Sequence, residues 1–576
     1  MARHHLIIPP RPHTLLTCLI FLSTLGLLFY LPFMKIRART CTPAFRRPAQ
    51  PIFFNTENGL LVFATPIRNN TKIKHPIESL ITNAQVEWDR VLHRQSKTLA
   101  MAVQEYQRRN HQRLPPKGFE KWWQFAVDNQ VGLVDEYDQI SKDLEPFWAI
   151  EPSRLRKLVH QLQTKQNKRR LIFEVDWEGR VNRTGAFGDS GRAKDLSKLM
   201  ESYQKYSRKA VKPFTMVIGA DDQAEIKTTW RERVRLLELA KKHKFIDEEE
   251  DFQLSETHSP YDDCPPDSAP RSLGKGYSSF VFDHLKSMDI CSSLEQVPIH
   301  GSLVNRHSTP FRPITPLFSF SKTLLDSDIR VTPLEQYRTT YGDVYDWDDP
   351  RRIGKAFWRG STTGTLHSNE NPSWKDSHRL RLHQLTRATK QHKQLIDGTQ
   401  VDLAQVNPQW FDIGFVGEPI QCEPPVCQQL KQMIHFHEWV GDEQANLYKY
   451  ALDVDGNGWS GRFHKLLASN RVVIKNTIFP EWYADRIQPW YHYMPVKTDY
   501  SDLHDMMHFL KTHDHLAKQI AQNGKDYSEK YWRKQDMAAY MFRLSLEWSR
   551  LYNREICEPG GTKTFCESYD FDLSLL

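Results

Sequence analysis

Apolar positions change their spacing along this chain, and the changes outline its elements. From about residue 77 to 108 they recur at helical spacing. After the break at Pro115-Pro-Lys-Gly118, the run FEKWWQF (119–125) starts a new aromatic helix. Residues 171–181 alternate like a strand that turns at Glu178-Gly179. Residues 214–218 form a short apolar strand running into Gly219-Ala-Asp-Asp222. Residues 241–251 join a basic run to an acidic one and read as a solvated face or loop, while 255–276, rich in Ser, Pro and Asp, read as an insertion. From Trp347 onward short apolar runs alternate with helical periodicity. Strands are predicted at 411–416, 451–454, 471–475 and 492–496, and helices at 443–450, 461–469, 501–510 and 516–532. Such alternation with short joints predicts a parallel, doubly wound sheet whose ligand site lies at the carboxyl ends of its strands. The pattern contains no internal repeat.

Composition sharpens this picture at the N-terminus. The chain has 576 residues, enough for two or more domains, with 78 Lys and Arg against 70 Asp and Glu. Five of the basic residues (Arg3, Arg11, Lys35, Arg37, Arg39) fall in residues 1–40, which contain no acid; without them the balance is 73 against 70. The near-neutral body excludes a basic stripe of the kind nucleic acids require. The five charges flank residues 14–33, an uncharged apolar stretch long enough to span a bilayer and longer than a signal-peptide core. A short tail before a large polar body reads as a single-pass, type II arrangement with a lumenal body. Of the eight cysteines, Cys18 lies in this span. Cys422–Cys427 and Cys557–Cys566 are plausible local disulfides in an oxidising lumen, and Asn69 and Asn182 head glycosylation sequons.

Three stretches carry candidate chemistry. In LDVDGNGWSGRFHKLLAS (452–469) a strand ends at Asp453-Val-Asp455. A flexible turn through Gly456, Asn457, Gly458 and Trp459 follows, and Ser460 is placed to cap a helix starting near Gly461, with Arg462 in its first turn. Glycines admit a ligand close to the backbone, and an arginine can grip phosphate oxygens bidentately. In KAFWRGSTTG (355–364) an aromatic strand delivers Arg359 into a turn of Gly360, Ser361 and two threonines, suited to an anion or sugar hydroxyls. PLFSFSKT (316–323) ends in small hydroxyls and Lys322. Asp453-Val-Asp455 is also an Asp-x-Asp, the pattern by which many sugar transferases hold a divalent metal. The neighbouring arginine can serve a diphosphate instead, so neither metal nor cofactor is expected.

These motifs, with FDIGFVG (411–417), PPKGFEKWWQFA (115–126) and DEYDQISKDLEPFW (135–148), resemble the capsule-associated glycosyltransferases of fungi and the related Rumi/KDEL-containing protein O-glucosyltransferases, glycosyltransferase family 90. The resemblance implies an α/β, GT-B-like fold of two Rossmann-like domains behind an N-terminal transmembrane helix. On that reading residues 1–13 are a cytosolic tail, 14–33 the span and 34–110 a stem. Residues 111–340 form an N-terminal acceptor domain with an insertion near 240–280, 341–548 a nucleotide-sugar domain, and 549–576 a tail. It further implies an inverting, metal-independent transfer of xylose or glucose from a UDP-sugar to a glycan or protein hydroxyl, in the Golgi or endoplasmic reticulum membrane. Arg359, Gly360, Ser361 and Gly458, Trp459, Ser460, Gly461, Arg462 would hold the nucleotide. The catalytic base departs from the family pattern: Pro213 falls near the position of the family's Asp. Asp221, Asp222 and Asp289 are the candidates; the alternatives are a different register or a non-catalytic, membrane-tethered glycan-binding protein that has lost its base.

Overall fold

The computed structural model describes residues 52–56, 58–63, 75–164, 169–246, 263–268, 279–304, 314–337, 342–387, 393–557, 564–565 and 569–576. The span expected at 14–33, the sequon at Asn69, most of the insertion and Cys566 lie outside them. Among the described residues no helix is long and apolar enough to cross a membrane.

Two sheets organise the body. The first contains β1 (Arg170–Val175), β2 (Val181–Thr184), β3 (Phe214–Gly219), β4 (Leu317–Ser319) and β5 (Ile329–Arg330), in the order β2-β1-β3-β4-β5. β1 runs antiparallel to both β2 and β3, whereas β3, β4 and β5 are parallel. The first sheet is therefore mixed rather than parallel throughout: the turn at Glu178-Gly179 folds 171–181 into an antiparallel hairpin at its edge. Its central strands are apolar on both faces. Leu171, Phe173, Met216, Val217 and Ile218 are all fully buried.

The second sheet contains β6 (Ile353–Gly360), β7 (Phe411–Val416), β8 (Phe436–His437), β9 (Tyr448–Val454), β10 (Val472–Asn476) and β11 (Met494–Pro495), in the order β8-β7-β6-β9-β10-β11. Every pairing is parallel. Unbroken apolar runs such as Val472-Val-Ile474, fully buried, are what strands covered on both faces require. The chain begins at β6, winds outward to β7 and β8, then returns to the other side of β6 with β9. The winding thus reverses between β6 and β9, and a crevice opens at their carboxyl ends. The predicted 443–450 helix is confined to Asp442–Ala445, because the aromatic Tyr448 and Tyr450 join β9 instead.

Helices close the core. The aromatic helix α1 (Phe119–Asp128) meets α4 (Lys534–Asn553), which follows α2 (Leu503–Thr512) and α3 (Asp514–Lys530). Trp122 Nε1 donates to the Ala539 carbonyl (2.9 Å), Trp548 Nε1 donates to the Thr215 carbonyl on β3 (2.9 Å), and the Tyr203 and Phe542 rings stack at 4.8 Å. The last long helix, though it follows the second sheet in sequence, packs against the first. Residues 50–576 accordingly form one compact unit. Among the described residues two disulfides form: Cys422–Cys427, as expected, and Cys264–Cys291, which joins residues 27 apart.

Candidate active site

The crevice between β6 and β9 gathers the predicted arginines. Arg359, near the end of β6 and opposite Gly414 on β7, donates from Nη2 to Asp412 Oδ1 (2.6 Å) and from Nη1 to the Asp412 carbonyl (2.9 Å). Burial alone would raise the Asp412 pKa, but the hydrogen bonds from Tyr448 and Arg359 outweigh it and hold the carboxyl below its ordinary range. Arg359 Nε is buried without a protein partner among the described residues. Arg462 donates from Nη1 to the Arg359 backbone carbonyl at 2.6 Å, which joins the two turns. Gly360 is required by packing, since a Cβ there would lie 2.5 Å from the Trp358 ring.

Sequence reasoning missed a third arginine, Arg379. It donates to the Ser361 carbonyl, to Thr363 Oγ1 and to the Asp455 carbonyl, each at 2.8 Å, thereby tying the β6 turn to the β9 turn. Its neighbour His378 stacks on His300 with ring centroids 4.1 Å apart. His300 Nε2 lies 3.3 Å from Asp455 Oδ2, which also accepts from the Ile478 N–H (2.9 Å). Burial pushes the Asp455 pKa up to about 6. The only advance signal was His378-Arg379 following a Gly, Ser and Thr-rich turn.

Two local expectations are corrected. Ser460 does not cap a helix: its hydroxyl donates to Asp453 Oδ1 (2.5 Å), and the helix is the single turn and a half Phe463–Ala468, with Arg462 at its N-cap position. Asp453 stands opposite Lys475 in the β9–β10 register and receives its ammonium at 2.6 Å. Both carboxylates of the Asp-x-Asp are thus engaged by the protein's own groups, a consequence of their complete burial at the end of β9.

The first sheet presents its acids from the carboxyl end of β3. Asp222 Oδ1 accepts from Arg192 Nη2 (2.7 Å), and Asp221, half exposed, pairs with Arg169 (2.9 Å). Both line a cleft of about 880 Å³ together with Arg192, Gln223, Thr365 and Asn457. Two strands of evidence show that the cleft joins the two sheets. Gln223 Nε2 donates to the Asn457 carbonyl (2.8 Å), and a Cβ on Gly458 would fall 2.1 Å from the Asp222 carbonyl, so glycine alone lets these loops touch. Asp289 is placed elsewhere: it caps the turn at 290–292, accepting from the Cys291 N–H (3.1 Å) and Ser292 Oγ (2.8 Å), and does not line the cleft. Pro213 lies at the opposite, amino end of β3, where its carbonyl accepts from Asn553 (2.9 Å).

The profile described as Glycosyl transferase family 90 matches residues 281–569, half of the chain. Protein O-glucosyltransferase 1 of Rattus norvegicus is 32% identical over 110 residues, covering 19% of this chain and 28% of that protein. Protein O-glucosyltransferase 2 of Danio rerio is 34% identical over 105 residues (18% and 21%). O-glucosyltransferase rumi of Drosophila pseudoobscura pseudoobscura is 30% identical over 112 residues (19% and 27%). The chain thus matches less than a third of the length of each of these relatives.

Proposed function

Because the chain belongs to glycosyl transferase family 90, we propose that it is an inverting glycosyltransferase with a GT-B-like arrangement, moving glucose or xylose from a UDP-sugar to a hydroxyl of a protein or glycan. The observation that supports this reading is the contact between the Asp222 loop and the Gly456-Asn457-Gly458 turn, which brings a carboxylate-bearing loop of the first sheet against the turn that leads into Arg462. Asp222 is the base: it takes the acceptor hydroxyl proton as the acceptor oxygen bonds to the anomeric carbon and the bond from that carbon to phosphate breaks. The electron pair leaves on the diphosphate. Arg359, whose Nε is free of protein partners among the described residues, and Arg462 stabilise that charge in place of a metal. The two disulfides support a secretory lumen as the working compartment, with residues 14–33 as the anchor.

The test is UDP release by the lumenal part (from residue 50) with a panel of UDP-sugars, with and without EDTA, in the presence of protein and glycan acceptors. Release that survives EDTA and is abolished in Asp222→Asn supports the proposal. EDTA-sensitive release sinks its metal-free part, and undiminished turnover in Asp222→Asn sinks the assignment of the base.

A further inference from the structure

Among the described residues Arg192 is the cation that touches the Asp222 carboxylate, and nothing in the sequence motifs singled it out. It sits at the start of the helix Gly191–Glu201 and uses its whole fork. Nη2 donates to Asp222 Oδ1 (2.7 Å), Nη1 to the Ala220 carbonyl (2.7 Å), and Nε to Glu335 Oε2 (2.9 Å). The guanidinium carbon lies 5.3 Å from the Phe320 ring centroid and 5.4 Å from that of Trp459, the residue preceding Ser460-Gly461-Arg462. A planar, permanently charged fork set against two aromatic rings that themselves lie 5.8 Å apart is held far more rigidly than a lysine would be.

From this geometry we infer that Arg192 is a positioning residue for the transfer reaction, holding one oxygen of Asp222 so that the other is left for the acceptor hydroxyl. It also links that carboxylate to the nucleotide-holding turn through Trp459. This inference rests on the reading of Asp222 as base. Glu335 completes the device. When Asp222 takes the acceptor proton its negative charge disappears, and Arg192 would be left half-buried without a counter-ion. Glu335, bonded to Nε of the same guanidinium, keeps the cation paired through the proton transfer, so Arg192 need not move between turnovers. The ring contacts add the second coupling: a donor diphosphate that orders the turn at 459–462 presses Trp459 onto the face of Arg192 and fixes the carboxylate at the moment the donor is bound.

The experiment is a double-substitution cycle on UDP release from UDP-glucose and UDP-xylose with water as acceptor, alongside UDP affinity by titration calorimetry. Arg192→Gln is expected to lower kcat about 10- to 100-fold while the UDP Kd changes by less than about threefold, and Arg192→Lys to recover part of the loss. Glu335→Gln should lower kcat less than Arg192→Gln does. The double variant Arg192→Gln/Asp222→Asn should be no slower than Asp222→Asn alone, because Arg192 acts through that carboxylate. Additive losses in the double variant, or a UDP Kd that weakens as much as kcat falls, overturn the assignment by making Arg192 a structural or donor-binding residue. Turnover in Asp222→Asn equal to wild type would instead overturn the reading of the base, whatever Arg192 does. Absence of UDP release by the wild type even when protein and glycan acceptors are supplied removes both.

Discussion

Arg462 and the Arg359 carbonyl are joined by a single hydrogen bond, and the proposed diphosphate site rests on that contact. Truncating Arg462 to Ala removes a charged donor and also frees the Arg359 carbonyl it holds. Charge-assisted hydrogen bonds contribute about 1.5–3 kcal/mol each, so UDP affinity measured by calorimetry should fall about 10- to 100-fold with the circular dichroism spectrum unchanged. His492 offers a test away from the site. Burial drives its pKa down to about 3, and its Nδ1 accepts the Gln488 N–H at 3.0 Å. A histidine neutral when folded but titrating near 6.5 when unfolded takes up a proton only on unfolding. Its contribution is therefore complete above pH 6.5 and is lost as pH falls, by about 2 kcal/mol at pH 5. His492→Asn should melt below wild type at pH 7.5, with the gap closing as pH is lowered to 5; a gap that widens contradicts the assigned shift. Neither Arg192 nor His492 could be read as special from its neighbours, because the groups that define each one come from distant segments: Glu335 for Arg192, and Trp88, edge-on at 4.4 Å, for His492.

Among the elements, the parallel strands were the most legible. A strand buried on both faces must be apolar throughout, so β7 emerged with its observed bounds and β10 within one residue of them. Helix starts were harder to place, since Ser460 looks like a cap locally yet spends its hydroxyl on Asp453. The β9–β10 register carries its own prediction. Lys475→Met takes the ammonium from buried Asp453, leaving it the hydrogen bond from Ser460, which should cost about 3–5 kcal/mol, whereas Asp453→Leu combined with Lys475→Met should recover part of that loss, since Lys475 also faces Glu481. Thermal melts of the two variants and the wild type read this directly. A double variant no more stable than Lys475→Met would show that Asp453 matters to the fold beyond its partner.

For the molecule as a whole, the decisive feature is the return of α4 to the first sheet after the chain has built the second. Trp548 is fully buried there, and its indole N–H is bonded to β3. Ending the chain at residue 533 should therefore expose the first sheet rather than merely trim a tail. Hydrogen exchange in β1 and β3 should lose protection together, while β9 and β10 keep theirs for longer. Equal loss in both sheets would mean that α4 stabilises the whole unit rather than one half.

The sequence by itself determined the strand–helix alternation of the second sheet, the two arginine-bearing turns, the resemblance to family 90 and one of the two disulfides. All of these are written in short stretches, where period, a tight turn or a five-residue spacing carries the information. Tertiary structure alone decided that the first sheet is mixed and that α4 belongs to it. It also decided that Cys264 meets Cys291, that Asp453 and Asp455 are held by Lys475 and His300, and that Asp222 rather than Asp289 faces the cleft. Each of those outcomes depends on which distant segment a side chain meets once apolar surface is buried, and no local pattern encodes that encounter.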